Sequence, residues 1–453
     1  MLRRVLICVV FAVVGAGAVT RAEARTILIF PFENVSSDRS LDWLGEGISE
    51  LFVERLQFEP GTYVFPRDER LLAYEKLGIP ETTVASRATQ LKIAWEIGAD
   101  KIIVGRFSGT ADDFKIAAHT VDMEFSRASE EISVRGKLQD IMALTADLGA
   151  KMNLGGPATI SHPQSAFENY VRGLLSQDPM KQVSFFETSI RQDPAYVPAI
   201  LALGHVYHLE RDFANSNRWL QKVTRLGPEL VQAQFTMGLN YFYLGDYGRS
   251  IAIFDQLPQT WDVLLNRGAA LSQKGDLPGA IAAWQRATQL DPLRNDAFFN
   301  IGYVSLLKND FDLATKSLNE SLNLRGHDSE ALFLLGRVYQ RQGRLDESQK
   351  LMAQAARLSQ RVERWSTQPL PKLERVSTTA SFTNGDEIWT VARLQRRAKN
   401  DGLTAFLDSA QNQIDSYMYG EAVRELQNAI RVIPDAAEAR GLLQEVNKQR
   451  MIR

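Results

Sequence analysis

The sequence has few of the residues that catalytic and metal-binding sites use most. Its 453 residues include one cysteine, Cys8, and five histidines. A single cysteine excludes an internal disulfide framework and a thiolate metal site. Acidic and basic residues nearly balance, with 54 Asp and Glu against 52 Lys and Arg, so the formal net charge is −2. This balance creates no overall field that would attract nucleic acid or an anionic membrane surface, and neither is predicted as a partner.

Motifs of the common catalytic and nucleotide-binding families are also lacking. No Gly-x-Ser-x-Gly, zinc-binding or P-loop pattern occurs in the sequence. His205 and His208 form a His-x-x-His pair on a predicted helix, but no third metal ligand lies nearby in sequence. We therefore predict that the protein is not an enzyme and that it binds no metal and no cofactor.

The first 24 residues have the order of a secretory signal peptide. Arg3 and Arg4 precede an apolar run over residues 5–19, and a small-x-small stretch, Ala22-Glu23-Ala24, follows it. This order predicts cleavage before Arg25 and export to the periplasm. The alternative is an uncleaved membrane anchor, for which an apolar run of roughly 15 residues is short compared with the ~20 that a span needs.

Residues 25–155 have the pattern of an α/β domain with a mixed sheet. The run "TILIFPFENV" predicts a buried strand, and "SLDWLGEGISELFVERLQ" predicts a helix capped by Ser40. Further helices follow "TYVFP", and "KIIVGRFSG", "FKIAAHTVDM" and "EEISVRGK" then predict three successive strands. In the first part of this segment strands alternate with helices, which indicates parallel pairing, and in the last part strands follow one another directly, which indicates antiparallel pairing. Together they predict one mixed sheet.

This segment resembles the amino-terminal domain of the TolB-like family, which is related in fold to curli-secretion and FlgO-type envelope domains. The resemblance lies in "ILIFPFEN", in "WLGEGISELFVERL" and in "EIGADKIIVGRF". These motifs are structural, so the resemblance implies a fold rather than an activity. It also implies a protein of the bacterial envelope in which the domain is joined to a repeat array.

Residues 164–356 contain a repeat. Glycines at positions 204, 238, 268, 302 and 336 each lie in a similar apolar helix pattern, at spacings of 34, 30, 34 and 34 residues. A 34-residue period of paired helices is that of the tetratricopeptide repeat, which the pattern resembles closely. The predicted fold class is therefore α+β multidomain, with an α/β domain followed by an all-α solenoid. In the copy around Gly268, we predict that Trp284 packs internally against the first helix.

The chain after the array is less regular. Residues 357–402 break the period and are predicted to be a linker or insertion that carries the basic helix "DEIWTVARLQRRAK"; a worn repeat is the alternative. Residues 403–453 predict a last repeat followed by the polar capping helix that such stacks need.

One face of each first helix is predicted to line a concave groove for a protein or peptide partner. Positions three and six before each glycine, and one, four and five after it, share this face. The predicted groove residues are His205, His208, Phe235, Phe242, Tyr243, Phe299, Tyr303, Phe333, Arg337 and Arg341. The many aromatic rings favour an apolar or aromatic-anchored peptide. The alternative is that several of these rings pack between adjacent repeats.

The array behind a signal peptide predicts a non-catalytic binding scaffold in the cell envelope. One alternative is a small-ligand sensor or enzyme with a site in the α/β domain near Glu33, Asn34 and Arg106. Another is a structural subunit of an envelope complex that uses residues 1–24 as a membrane anchor.

Overall fold

A computed structural model describes residues 25–56, 59, 62–81, 85–125, 127–155, 162–224, 227–366, 370–379 and 385–451. The predicted signal peptide, residues 1–24, lies outside the described residues. Within the described ranges, no helix is both long and apolar enough to cross a membrane.

The amino-terminal domain contains a mixed sheet, as predicted. Strand β4 is parallel to β1 and β2 and antiparallel to β5. Strand β3 extends the parallel part beyond β1, and β6 and β7 extend the antiparallel part beyond β5. The strands are β1 Arg25–Ile29, β2 Glu33–Asn34, β3 Thr62–Val64, β4 Lys101–Gly109, β5 Phe114–Asp122, β6 Arg127–Ala128 and β7 Ile132–Gly136.

Helices cover both faces of this sheet because its strands are apolar on both sides. Alternate residues of β1 separate the two layers: Ile27 and Ile29 pack with α1 and α4, whereas Leu28 packs with α2 and α3. The helices are α1 Trp43–Leu56, α2 Arg67–Lys76, α3 Arg87–Ile97 and α4 Ile141–Lys151.

Two local predictions in this domain are wrong. Ser40 does not cap α1, because it lies inside a short 3-10 helix, Arg39–Leu41, whose cap is the side chain of Asp38. The run "TILIFPFENV" is not one strand but two. The amide of Phe32 donates to the carbonyl of Gly45 at 2.9 Å, so the chain leaves the β1 ladder before β2 begins.

The array consists of six antiparallel helix pairs. Each first helix packs most extensively against the second helix of its own pair. The pairs are α5 Gln164–Leu175 with α6 Pro179–Gln192, α7 Val197–Leu209 with α8 Phe213–Leu220, α9 Pro228–Tyr243 with α10 Tyr247–Gln256, α11 Trp261–Lys274 with α12 Leu277–Leu290, α13 Asn295–Leu307 with α14 Phe311–Leu324, and α15 Ser329–Arg341 with α16 Leu345–Leu358.

A close contact of glycine with a large side chain holds each pair together. A Cβ on Gly268 would lie 2.3 Å from Nε1 of Trp284, so only glycine fits there. Trp284 is fully buried and its Nε1 donates to the carbonyl of Leu265 at 3.0 Å. The prediction that Trp284 packs internally is confirmed. The turn between the helices uses Gly275 at φ +95° and Asp276, whose side chain caps α12.

The α/β domain and the array share one hydrophobic core. Helix α1 packs against α5, and the rings of Trp43 and Phe167 meet edge to face with their centroids 5.9 Å apart. The same cluster of buried side chains runs from Phe52 in α1 to Leu203 in α7. The domain therefore provides a cap for the first end of the array.

The carboxyl-terminal helices pack against the repeat array. After α17, Gln360–Glu363, come α18 Gly385–Asp415, broken at Gly402, and then α19 Tyr419–Val432 and α20 Ala437–Met451. Helix α19 packs against α14, and Arg424 forms an ion pair with Asp291 at 2.9 Å. The helix pair expected after residue 403 is present, and it packs beside α14.

Candidate functional site

An extended segment of the chain itself lies on the predicted groove face. Residues 370–379, here called the strap, have no regular secondary structure and cross α11, α13 and α15. The strap is connected to these three helices by backbone hydrogen bonds, ion pairs and apolar contacts, described in turn below. It forms part of the segment that the sequence predicted to be a linker or insertion.

Two asparagines of the array bind the strap backbone. Asn300 donates to the carbonyl of Arg375 at 2.9 Å and accepts from the amide of the same residue at 2.7 Å. Asn266 makes the same pair of bonds with Ser377, at 2.8 and 2.7 Å. The asparagines are one 34-residue repeat apart, whereas the bound residues are two apart, as the same side of an extended chain requires. Since these bonds involve only the peptide backbone, they do not depend on the side chains of the bound segment.

The side chain of Arg375 occupies a pocket with three carboxylates, here called the carboxylate pocket. Its guanidinium lies 2.8 Å from Asp328, 3.2 Å from Glu330 and 3.4 Å from Asp296. The ring of Phe299 forms the floor, with its centroid 3.6 Å from the guanidinium carbon. Only 17% of the side chain of Arg375 is exposed.

The electrostatics of this pocket strongly favour a cation. Burial alone would lower the pKa of Arg375, but the charges of Asp328, Asp296 and Glu330 outweigh it and raise that pKa above its usual value. Asp328 is also fixed in place because its side chain caps α15 by accepting from the amide of Ala331 at 3.1 Å. The pocket is therefore a preorganised site for one guanidinium.

Other strap residues complete the contact. Leu373 is 6% exposed and packs into the core of the array. Glu374 accepts hydrogen bonds from Ser272 at 2.7 Å and Gln273 at 2.6 Å, both on α11. The hydroxyl of Tyr303 donates to the carbonyl of Pro371 at 3.2 Å. Burial, with the charge of Glu374, raises the pKa of Tyr303 to about 12, so this hydroxyl keeps its proton.

The predicted groove residues fall into two groups. In the first, Phe299 and Tyr303 contact the strap, Phe333 packs edge to face on Trp365, and Phe235 packs against Phe254 of its own pair. In the second, the side chains are exposed or half-buried. This second group comprises His205, His208, Phe242, Tyr243, Arg337 and Arg341.

Residues of the second group form an aromatic cluster with Phe213, the first residue of α8, at the amino-terminal end of the groove face. The ring of Phe213 stacks on Tyr243 with centroids 5.0 Å apart, and its centroid lies 5.7 Å from that of His208. Tyr243 is 39% exposed. Nδ1 of His208 lies 2.6 Å from Oδ1 of Asn240, so an amide orients this ring. We call Phe213, Tyr243, His205 and His208 the aromatic patch.

The residues named for a site in the α/β domain make separate contacts. Asn34 donates to Asp42 at 2.7 Å, and Arg106 pairs with Glu131 at 2.9 Å on the exposed surface. Glu33 is the neighbour of Arg106 in the parallel register of β2 and β4.

Sequence reasoning missed the polar residues of the groove. Asn266 and Asn300 each stand two positions before a repeat glycine, and that recurrence was visible in the sequence. Asp296 and Glu330 recur in the same way, six positions before Gly302 and Gly336, on the face that was predicted to line the groove; Asp328, at the amino-terminal cap of α15, has no such signal.

Comparison with known proteins agrees with the repeat architecture. Tetratricopeptide-repeat models match residues 235–292, 265–323 and 329–361. Residues 235–361 therefore contain tetratricopeptide repeats. The α/β domain lies outside these matches.

The similar proteins named here each cover less than half of this chain. Protein bimA of Emericella nidulans is 22% identical over 180 residues, which cover 38% of this chain and 22% of that protein. Solved structures include MamA, residues 41 to the end, from Desulfovibrio magneticus RS-1, at 17% identity and TM-score 0.34, covering 36% of this chain and 97% of that one. They also include YrrB, described as a TPR protein with an unusual peptide-binding site, at 15% identity and TM-score 0.32, covering 39% and 92%.

Proposed function

We propose that the protein is a non-catalytic scaffold that binds an extended segment of a partner protein on the groove face of its repeats. The observation that supports this most strongly is the strap. Asn266 and Asn300 bind an extended backbone through paired donor and acceptor bonds, a mode suited to any extended peptide.

The aromatic patch is one part of the groove face that the strap leaves uncovered. Tyr243 and His205 are exposed and Phe213 is half-buried, and the ring of His208 contacts all three. Clustered aromatic side chains bury large apolar area for little loss of conformational entropy, which makes them frequent anchors in protein interfaces. We propose that an apolar side chain of the partner packs here.

The proposed place of action is the bacterial envelope. This part of the proposal is supported by the signal-peptide pattern of residues 1–24 and by the resemblance of residues 25–155 to the TolB-like family. Amino-terminal sequencing of the exported protein tests it. A start at Arg25 is expected, whereas a start at Met1 would favour the membrane-anchored subunit instead.

The binding surface is tested by cross-linking in intact cells followed by mass spectrometry. The double variant His205→Ala/Tyr243→Ala removes exposed side chains and is expected to fold normally. It should lose the partner that the wild-type protein cross-links. The control Leu345→Ala changes a residue that is 58% exposed on α16, the second helix of the last pair, and should keep that partner. Equal cross-linking by both variants would refute a role for the aromatic patch.

A further inference from the structure

The contacts of the strap define what kind of segment the groove face accepts. We propose that α11, α13 and α15 form a binding site for an extended peptide carrying arginine, and that the strap is an internal occupant which such a segment of a partner protein displaces. The inference rests on the proposed function, because it names the partner chemistry for the same face. It adds a specificity that no backbone contact supplies.

The specificity comes from the carboxylate pocket, which belongs wholly to the array. Asp296 and Phe299 are on α13, and Asp328 and Glu330 lie at the start of α15. Three carboxylates around one guanidinium leave an excess of negative charge even when the strap is bound. A planar guanidinium contacts several carboxylates at once and stacks on an aromatic ring, whereas a lysine ammonium does so less well.

A second side chain of the strap, Leu373, fixes the alignment of the bound segment on the array. Leu373 stands two residues before Arg375, on the same side of an extended chain, and is buried in the core of the array. Glu374 between them points to Ser272 and Gln273 on the neighbouring helix. The site therefore selects an apolar residue, then any residue that can accept hydrogen bonds, then arginine.

A competing peptide can reproduce the contacts that the strap makes. The backbone of the strap bonds to Asn266 and Asn300, and its Arg375 side chain binds in the carboxylate pocket. An arginine-bearing segment of another protein can make the same bonds. A buried ion-pair cluster adds little stability compared with apolar packing, and its best-attested role is to fix position. Because the strap is tethered, its effective concentration is on the order of millimolar, and wild-type protein should bind free peptide weakly.

The test uses the full chain and a fluorescein-labelled peptide with the strap sequence LPKLERVSTT, residues 370–379. The variant Leu373→Ala/Arg375→Glu should release the strap, since glutamate is repelled by the carboxylate pocket. We expect it to bind the peptide at least ten-fold more tightly than wild type in fluorescence anisotropy. The control Thr378→Ala changes an exposed strap residue and should bind as wild type does.

The arginine requirement is tested in the same assay. A peptide with Ala in place of the residue equivalent to Arg375 should bind the released variant at least ten-fold more weakly, and one with Lys should bind with intermediate affinity. Adding Glu330→Gln to the released variant should weaken binding several-fold. If releasing the strap does not tighten binding, or if the arginine-free peptide binds equally well, the inference is wrong.

Two further measurements separate the possible outcomes. Circular dichroism shows whether the released variant folds. If it does not, Arg375→Lys, which keeps the charge and loses the planar guanidinium, should still bind peptide more tightly than Thr378→Ala.

Light scattering detects exchange of straps between two copies of the protein. A wild-type dimer that disappears in the released variant would overturn the inference of a partner protein. Loss of cross-linking in His205→Ala/Tyr243→Ala tests the proposed function separately, so the two can fail independently.

Discussion

Glu50 makes the stability of the protein depend on pH. It lies on α1, the helix that packs against α5, and its Oε1 is buried and accepts no hydrogen bond from any residue in the described part of the chain. Burial, followed by the charge of Glu46, raises its pKa from 4.5 to about 8, although Arg70 and Arg67 oppose the shift. The folded protein therefore holds this carboxyl in its neutral form at pH 7.

The sign and size follow from proton linkage. Between pH 4.5 and about pH 8 the folded state carries a proton on Glu50 that the unfolded state has lost. The unfolding free energy then falls by about 1.4 kcal/mol for each unit of rising pH, or about 3 kcal/mol from pH 5.5 to pH 7.5. Glu50→Gln keeps a neutral side chain of the same shape, so it should remove this contribution.

Urea unfolding of both proteins at several pH values measures the effect. The variant should match wild type near pH 5 and exceed it by about 3 kcal/mol at pH 7.5. His162 contributes in the same direction. The carboxylates of Glu54, at 3.6 Å, and Asp193, at 2.9 Å, raise its pKa against the opposing effect of burial, so its stabilisation is lost as the pH rises. The difference between the unfolding free energies of the variant and the wild type isolates the contribution of Glu50, since His162 is present in both.

The control replaces a glutamate on the surface. Glu75→Gln on α2 is exposed and should leave the pH dependence of wild type unchanged. If Glu50→Gln and wild type lose stability in parallel between pH 5.5 and 7.5, the carboxyl is not held neutral in the folded protein and the reasoning fails.

Two further predictions concern the repeat array. Gly268→Ala should lower the unfolding free energy by about 1–3 kcal/mol in urea, because the new Cβ would overlap Trp284, whereas Gly248→Ala, with no atom nearer than 3.8 Å, should be neutral or raise it. Equal effects of the two would contradict the close helix approach. Asp276→Ala should cost about 1 kcal/mol, because the side chain caps α12 by accepting from the amide of Gly279 at 3.0 Å, and Asp276→Asn should restore most of it.

The periodic part of the fold could be predicted because each repeat applies the same local rules. A glycine facing a large side chain in the next helix, and an aspartate that ends the turn, recur at a fixed spacing. That spacing predicts Gly268 and Trp284 as a packing pair, and the structure places them in contact. The start of α1 was not predictable in the same way, because the apolar pattern does not show that a separate 3-10 helix, capped by Asp38, includes Ser40 and precedes Trp43.

The strap could not be predicted, since its structure depends on distant contacts. Arg375 bonds to Asn300, 75 residues earlier in the chain, and Ser377 bonds to Asn266, 111 residues earlier. A helical wheel likewise identifies the face that carries Phe299 and Tyr243 but not what covers it. One of these rings lies under a guanidinium, whereas the other is partly exposed.

The direction of the strap determines how a partner would meet it. Arg375 is bound on α13 and Ser377 on α11, so the strap runs opposite to the order of the repeats and its carboxyl-terminal end points toward the aromatic patch. A segment anchored at Tyr243 and extending along the groove face therefore reaches Ser377 before Arg375. The bonds to Asn266 are the first that it would replace, the carboxylate pocket comes next, and the contacts of Leu373 and Pro371 come last. On the proposed mechanism, the aromatic patch supplies initial affinity for many apolar segments, and arginine is required only for the later steps of the exchange.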